Sequence, residues 1–131
     1  MDELDEYIEK HLDETSIVKK IPLASYINEL MGKHGFDNAK ELYEKASISK
    51  QAFYRILSDK NYNPSLDTMI KLALALHLSN DECKLLLKKS SYTLSSSSNR
   101  SLVIRFCLEN KIYDIQKVNQ LLLMEGEKAL E

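Results

Sequence analysis

Lys50, Gln51, Tyr54, Arg55 and Ser58 fall within one short stretch, ASISKQAFYRILSD (46–59), and alternate there with Ile48, Phe53, Ile56 and Leu57. At 100° per residue on a helix, the first set shares one face and the second set the opposite face. The polar face groups an amine, a primary amide, a guanidinium, a phenol and a hydroxyl. These groups can do hydrogen-bond recognition. An amide pairs bidentately with adenine, a guanidinium or amine meets guanine N7 and O6, and all of them reach phosphate. A solvated helix face without a ligand is the plain alternative. Tyr54 is equally suited to packing against a neighbouring helix and to touching a phosphate or a thymine methyl. Lys60 and Asn61, just beyond the stretch, are placed for backbone phosphates.

Such a face works only if the elements around it hold the helix by its apolar side. Ser49 is a good N-cap for a helix starting at Lys50, and Ser47-Ile48-Ser49 interrupts the Leu42/Ala46 stripe of the helix before it. That preceding helix has Asn38 as cap, with Glu41 three residues on. Further upstream, Leu23, Tyr26, Ile27, Leu30 and Met31 form one stripe, Pro22 suits its first turn, and Gly35 suits a left-handed stop. Downstream, the polar run 58–63 before Pro64 is a loop. Ser65 caps a strongly apolar helix carrying Leu66, Met69, Ile70, Ala73, Leu74 and Leu76, which belongs at the centre of the fold. Ser79 and Glu82 form a capping box for a helix running through Lys89.

Two short helices joined by a tight turn, flanked by apolar helices, make a helix-turn-helix arrangement. The stretch NAKELYEKASISKQAFYRILSDKNYNPSLDTMIKLALALHLSNDE (38–82) resembles the DNA-binding domain of the lambda-repressor-like, Cro-type (XRE) helix-turn-helix family. The resemblance is carried by Leu42, Ile48-Ser49, Phe53, Ile56, Pro64-Ser65-Leu66, Leu72, Ala75 and Leu76. It implies an all-α lambda-repressor-like domain whose DNA contacts fall at Ala39, Lys50, Gln51, Tyr54, Arg55 and Ser58. Tyr43 stands where the family pattern has a small residue, implying a displaced second helix or small neighbours; the usual Gly near Asp59 is missing, implying a different loop.

The rest of the chain flanks this domain. Residues 1–20 are an acidic helix and connector, with Leu4, Ile8 and Leu12 along one edge. Residues 21–90 hold the helix-turn-helix domain, and 91–131 form a C-terminal helical extension of two helices, 102–110 and 114–124. The Ser-rich stretch 90–101 between them is a connector or a loop with several alternative caps. The C-terminal segment resembles a tail carried by some bacterial members of the family. Its Leu121–Leu123 run and Met124 exceed one amphipathic face, which points to burial on the domain or self-association, and the helical pair is also a place for a protein partner.

Composition limits the classes. Three Gly and two Pro are too few for a turn-rich β fold, and 44% hydrophobic content can build a core. No apolar run is long enough to span a membrane, and the acidic start is no secretory signal, so a cytoplasmic protein is expected. Of 20 acids and 18 bases, seven and one lie in residues 1–14, which leaves 13 and 17 beyond them, a net of +4 compatible with phosphate. Cys83 and Cys107 lack metal or redox spacing, and His11, His34 and His77 lack partner spacing, so neither metal nor cofactor is expected. No nucleophile motif or phosphate-cradling Gly loop suggests an enzyme. The expectation is a sequence-specific double-stranded DNA-binding transcriptional regulator, a dimeric repressor. The rival is an adaptor that keeps the fold for protein interaction without DNA binding. RNA binding comes third, because one aromatic in the helix is a poor base-stacking platform.

Overall fold

The computed structural model describes residues 23–59, 61–95 and 97–131. The acidic helix expected in residues 1–20, with His11, and the phosphate contact expected at Lys60 lie outside the described residues. All regular structure among the described residues is helical: α1 (Leu23–Lys33), α2 (Ala39–Lys45), α3 (Lys50–Ser58), α4 (Leu66–Ala75), α5 (Asn80–Lys89), α6 (Asn99–Glu109) and α7 (Ile115–Met124). No helix among them is long and apolar enough to cross a membrane.

Short polar side chains start these helices by accepting otherwise orphaned backbone N–H groups. Asn38 caps α2, Ser49 caps α3, Ser65 caps α4 and Asp114 caps α7. At α5 both halves of the Ser79/Glu82 box form. Helix α6 begins three residues before its first large apolar residue, Leu102. Among the serines of the connector it is Ser98 that caps, accepting from Ser101 N, which draws Asn99–Ser101 into the helix.

Apart from α3, the helices end in a shared way. Gly35 is left-handed (φ 78°), with Phe36 N donating to Met31 O. The same closure recurs at Ser47, His77, Ser91 and Lys111, all with positive φ although none is glycine. In each case the next residue donates back into the helix: Ile48 to Tyr43 O, Leu78 to Ala73 O, Tyr92 to Leu87 O and Ile112 to Cys107 O. Each of these next residues is apolar or aromatic, so burying it offsets the strain of about 1–2 kcal/mol at the left-handed residue.

The centre is α4, where every residue from Met69 to Leu76 is buried, including the Lys71 stem. Ile27 and Leu30 of α1, Leu42 of α2, Phe53 and Ile56 of α3 and Leu86 and Leu87 of α5 close around it. Ile104, Cys107, Leu108, Val118, Leu122 and Leu130 join the same cluster, which seats α6 and α7 on the domain. Polar ties reinforce the seat. Arg100 pairs with Asp67 at 3.0 Å, Asn80 donates to Glu109 at 2.6 Å, and His77 stacks on Tyr113 with centroids 4.2 Å apart. The connector is anchored as well: Tyr92 donates its hydroxyl proton to Pro64 O at 2.9 Å. Burial pushes the Cys83 thiol up to about 12 and raises Cys107 too, so both are inert packing residues.

One polar cluster sets α1 against α5. Burial alone would raise the Glu82 carboxyl, but hydrogen bonds from Lys33, Ser79 N and His34 outweigh it and hold it down to about 2. Lys33 Nζ lies 2.9 Å and His34 Nε2 3.1 Å from Glu82 Oε2.

Candidate nucleic-acid interface

The turn between α2 and α3 aims the exposed face. Ala46 is buried at the end of α2, Ser47 takes φ 56°, Ile48 turns into the core, and Ser49 stops the chain in extended conformation to cap α3. Lys71 runs through the buried layer of α4 and places its amine 3.4 Å from Ser47 O, tying the turn to the central helix. Phe53 is fully buried and Ile56 nearly so, which fixes the rotation of α3. A rotation that exposed Phe53 would cost about 2–3 kcal/mol in burial alone.

With that rotation, Lys50, Gln51, Tyr54, Arg55 and Ser58 are all exposed on one face, as their spacing predicts. The side chains of Lys50 and Gln51, at the N-terminal end of α3, make no hydrogen bond or ion pair among the described residues. Their amine and amide are therefore uncommitted at the exposed start of α3.

Arg55 is held differently. Its guanidinium lies over the Tyr62 ring, 4.3 Å from the centroid, and 3.8 Å from Asp59 Oδ2. Stacking leaves the guanidinium edge open for planar pairing while restricting the side chain. Asp59 also organises the loop after α3. It is extended (φ −106°), and its Oδ1 accepts from Asn61 N at 2.9 Å. This Asx-type turn stands where the family pattern has a glycine.

Tyr54 is both packed and open. It is 45% exposed, and its ring meets Phe53 edge-on at 5.8 Å and Tyr43 at 6.5 Å. Tyr43 itself tilts against Phe53 at 5.9 Å. Of the two ways expected to fit Tyr43, a displaced second helix or small neighbours, the small neighbours are not found. Its ring meets two aromatic rings, those of Phe53 and Tyr54, and it lies half-buried. Ser58 donates its hydroxyl proton to Tyr54 O at 2.7 Å, leaving only its oxygen lone pairs for a partner. Ala39 is half-buried at the first position of α2, and Asn61 is exposed in the loop.

Three features of this face were not foreseen: the Lys71 tie, the Tyr62 stack and the aromatic trio. Only the Arg55–Asp59 pair had a local signal, its i,i+4 spacing. Nearby, Lys40 pairs with Glu44 at 3.9 Å, and the Lys45 amine sits 5.7 Å over the Phe36 ring. Among the described residues no group of His, Cys, Asp and Glu could hold a metal ion.

A capped second helix that is locked by its apolar side and presents its polar side, following a shorter helix across a tight turn, defines a helix-turn-helix protein. Residues 26–82, from α1 to the first turn of α5, match the family model of the Cro/C1-type HTH DNA-binding domain. Over these residues, less than half of the 131-residue chain, the protein carries a DNA-binding domain of the lambda-repressor-like, Cro/C1-type (XRE) helix-turn-helix kind, which supports a DNA-binding regulator. No curated protein and no solved structure matches the chain. Helices α6 and α7 lie beyond the matched residues.

Proposed function

We propose that the chain is a cytoplasmic, sequence-specific repressor that binds double-stranded DNA as a homodimer, each copy laying α3 in the major groove. The observation that carries this reading is the pair of uncommitted side chains, Lys50 and Gln51, at the exposed N-terminal end of a helix locked by Phe53 and Ile56. In the proposal Gln51 pairs with adenine, and Lys50 and Arg55 pair with guanine. Tyr54, Ser58, Ala39, Lys60 and Asn61 contact phosphate, sugar or a thymine methyl and set the register. The stack on Tyr62 presents Arg55 with part of its rotamer entropy already lost, which favours base reading over loose charge contact. One short helix reads few base pairs, so two-fold half-sites supply the remaining specificity. Repression then follows from occlusion, because a compact dimer across both half-sites blocks other occupants of that duplex.

The test titrates the full chain against pooled random duplexes at low and physiological salt, with selection and sequencing of the bound fraction. The reading expects log affinity to fall linearly with log salt, by about 0.9 per phosphate neutralised, and a two-fold symmetric motif to be enriched. Removing Lys60 weakens all sequences alike and lowers the salt slope by about one. Absence of binding at low salt, with a co-purifying protein, would turn the account toward the adaptor.

A further inference from the structure

Helices α6 and α7 carry an apolar surface that the domain does not use. Of the five large hydrophobic side chains left exposed among the described residues, Tyr54 lies on α3, and the other four, Leu102, Phe106, Leu123 and Met124, lie on α6 and α7. Leu102, Val103 and Phe106 face Leu121, Met124 and Glu125 across a groove of about 380 Å³. Surfaces of this kind on otherwise polar proteins mark docking sites.

We infer that this groove receives a second copy of the chain, with the two α7 helices antiparallel about a two-fold axis at Leu121. The inference rests on the dimer proposed above and gives it a surface. The choice of occupant comes from charge. Lys117, Leu121 and Glu125 follow at intervals of four, so they share one side of α7, the side on which Leu121 and Glu125 border the groove. Lys117 and Glu125 are exposed, and neither has an ion-pair partner among the described residues. Each lies about 6 Å along the axis from Leu121, in opposite directions. Turning a second α7 end for end therefore sets Lys117 of each copy against Glu125 of the other, twice, around an apolar centre. A two-fold interface requires such a self-complementary patch, and an unrelated partner would not.

The placement also suits the DNA reading. The principal contacts of α6 and α7 are with α5 and with each other, not with α3, so pairing there leaves the reading face open. The Arg100–Asp67 pair and the His77–Tyr113 stack fix the pair of helices to α4 and to the turn after it, so the dimer axis sets the distance between the two α3 helices.

The experiment is sedimentation of the full chain and its variants over a micromolar range, with helical circular dichroism and melting as fold controls. The wild type is expected to be a dimer. Lys117→Glu creates two like-charge contacts and raises the dimer dissociation constant about tenfold. Adding Glu125→Lys to it restores wild-type pairing, a rescue that a merely structural role would not produce. Met124→Glu gives a folded monomer. A wild type that stays monomeric overturns the inference, as does a dimer insensitive to these substitutions or a swap that fails to restore it. A monomer that dimerises only when residues 1–22 are deleted assigns the groove to that segment and also overturns it. Duplex binding is scored separately: a groove-paired dimer that ignores DNA refutes the regulator reading alone, and a monomer that binds DNA refutes the dimer alone.

Discussion

Asp59 lies beside the reading face, and replacing it with Asn tests whether that face meets a polyanion. Its Oδ2 is 3.8 Å from Arg55, with side-chain exposures of 62% for Arg55 and 42% for Asp59. A pair so exposed holds Arg55 by about 0.3–0.5 kcal/mol. Asp59 also repels an approaching phosphate: at a separation of about 7 Å in water this costs roughly 0.6 kcal/mol. Together they make the Asp59→Asn protein bind about 1 kcal/mol tighter at low salt, near fivefold. The substitution is isosteric and keeps the oxygen that accepts from Asn61 N, so the loop is retained. Losing an anion from the C-terminal end of α3 is neutral or favourable to the helix. The assay is fluorescence anisotropy with labelled random duplexes, in low salt and again near molar salt, where a screening length of about 3 Å erases the gain. Asp81→Asn is the control, since Asp81 borders Arg105 and Glu109 of α6, and beyond a screening length it changes affinity by less than about 1.5-fold at physiological salt. Unchanged or weaker binding by a folded Asp59→Asn protein would refute the reasoning, because α3 would then not face the duplex.

Other substitutions give separate readouts. Arg55→Ala should cost about 1–3 kcal/mol on the selected site and relax the preference at one base position; equal loss on random and selected DNA would rule out base reading. Glu82 is held down to about 2 from an ordinary 4.5, so its stabilisation is complete above 4.5 and is lost as pH falls toward 2. Glu82→Gln should flatten the acid limb of the melting curve across that window, by about 1–2 kcal/mol once solvent screening at the exposed Lys33 end is allowed for. Lys111 is exposed at φ 56°, so Lys111→Gly should raise stability by about 0.5–1 kcal/mol, read as a melting midpoint about 3 °C higher.

The parts of this molecule written in local spacing were legible, and the parts written in long-range contacts were not. Ser49 before Lys50, the alternation of Phe53 and Ile56 with Lys50, Gln51 and Arg55, and the Ser79/Glu82 box each involve neighbours within one or two turns. The exposed face of α3 follows from such spacing. The start of α6 was not legible, because several adjacent serines could cap, and the Arg100–Asp67 pair beside the Ser98 cap joins residues 33 apart in sequence. The helix ends at Ser47, His77, Ser91 and Lys111 carry no glycine to announce them; the apolar residue that follows each one determines them. The Lys71–Ser47 tie spans 24 residues, and no periodicity signals it. The rings of Tyr43 and Tyr62 read as ordinary aromatics until the fold sets them against Phe53 and Arg55.

The central claim is that Lys50, Gln51 and Arg55 enter a duplex from an otherwise rigid domain. Backbone amide NMR of the full chain, titrated with its selected duplex, tests it most directly. The account predicts the largest shifts from Ser49 to Ser58 and at Ala39 and Asn61, with the buried amides of α4 nearly unmoved. Shifts confined to α6 and α7, with α3 silent at saturating duplex, would contradict it.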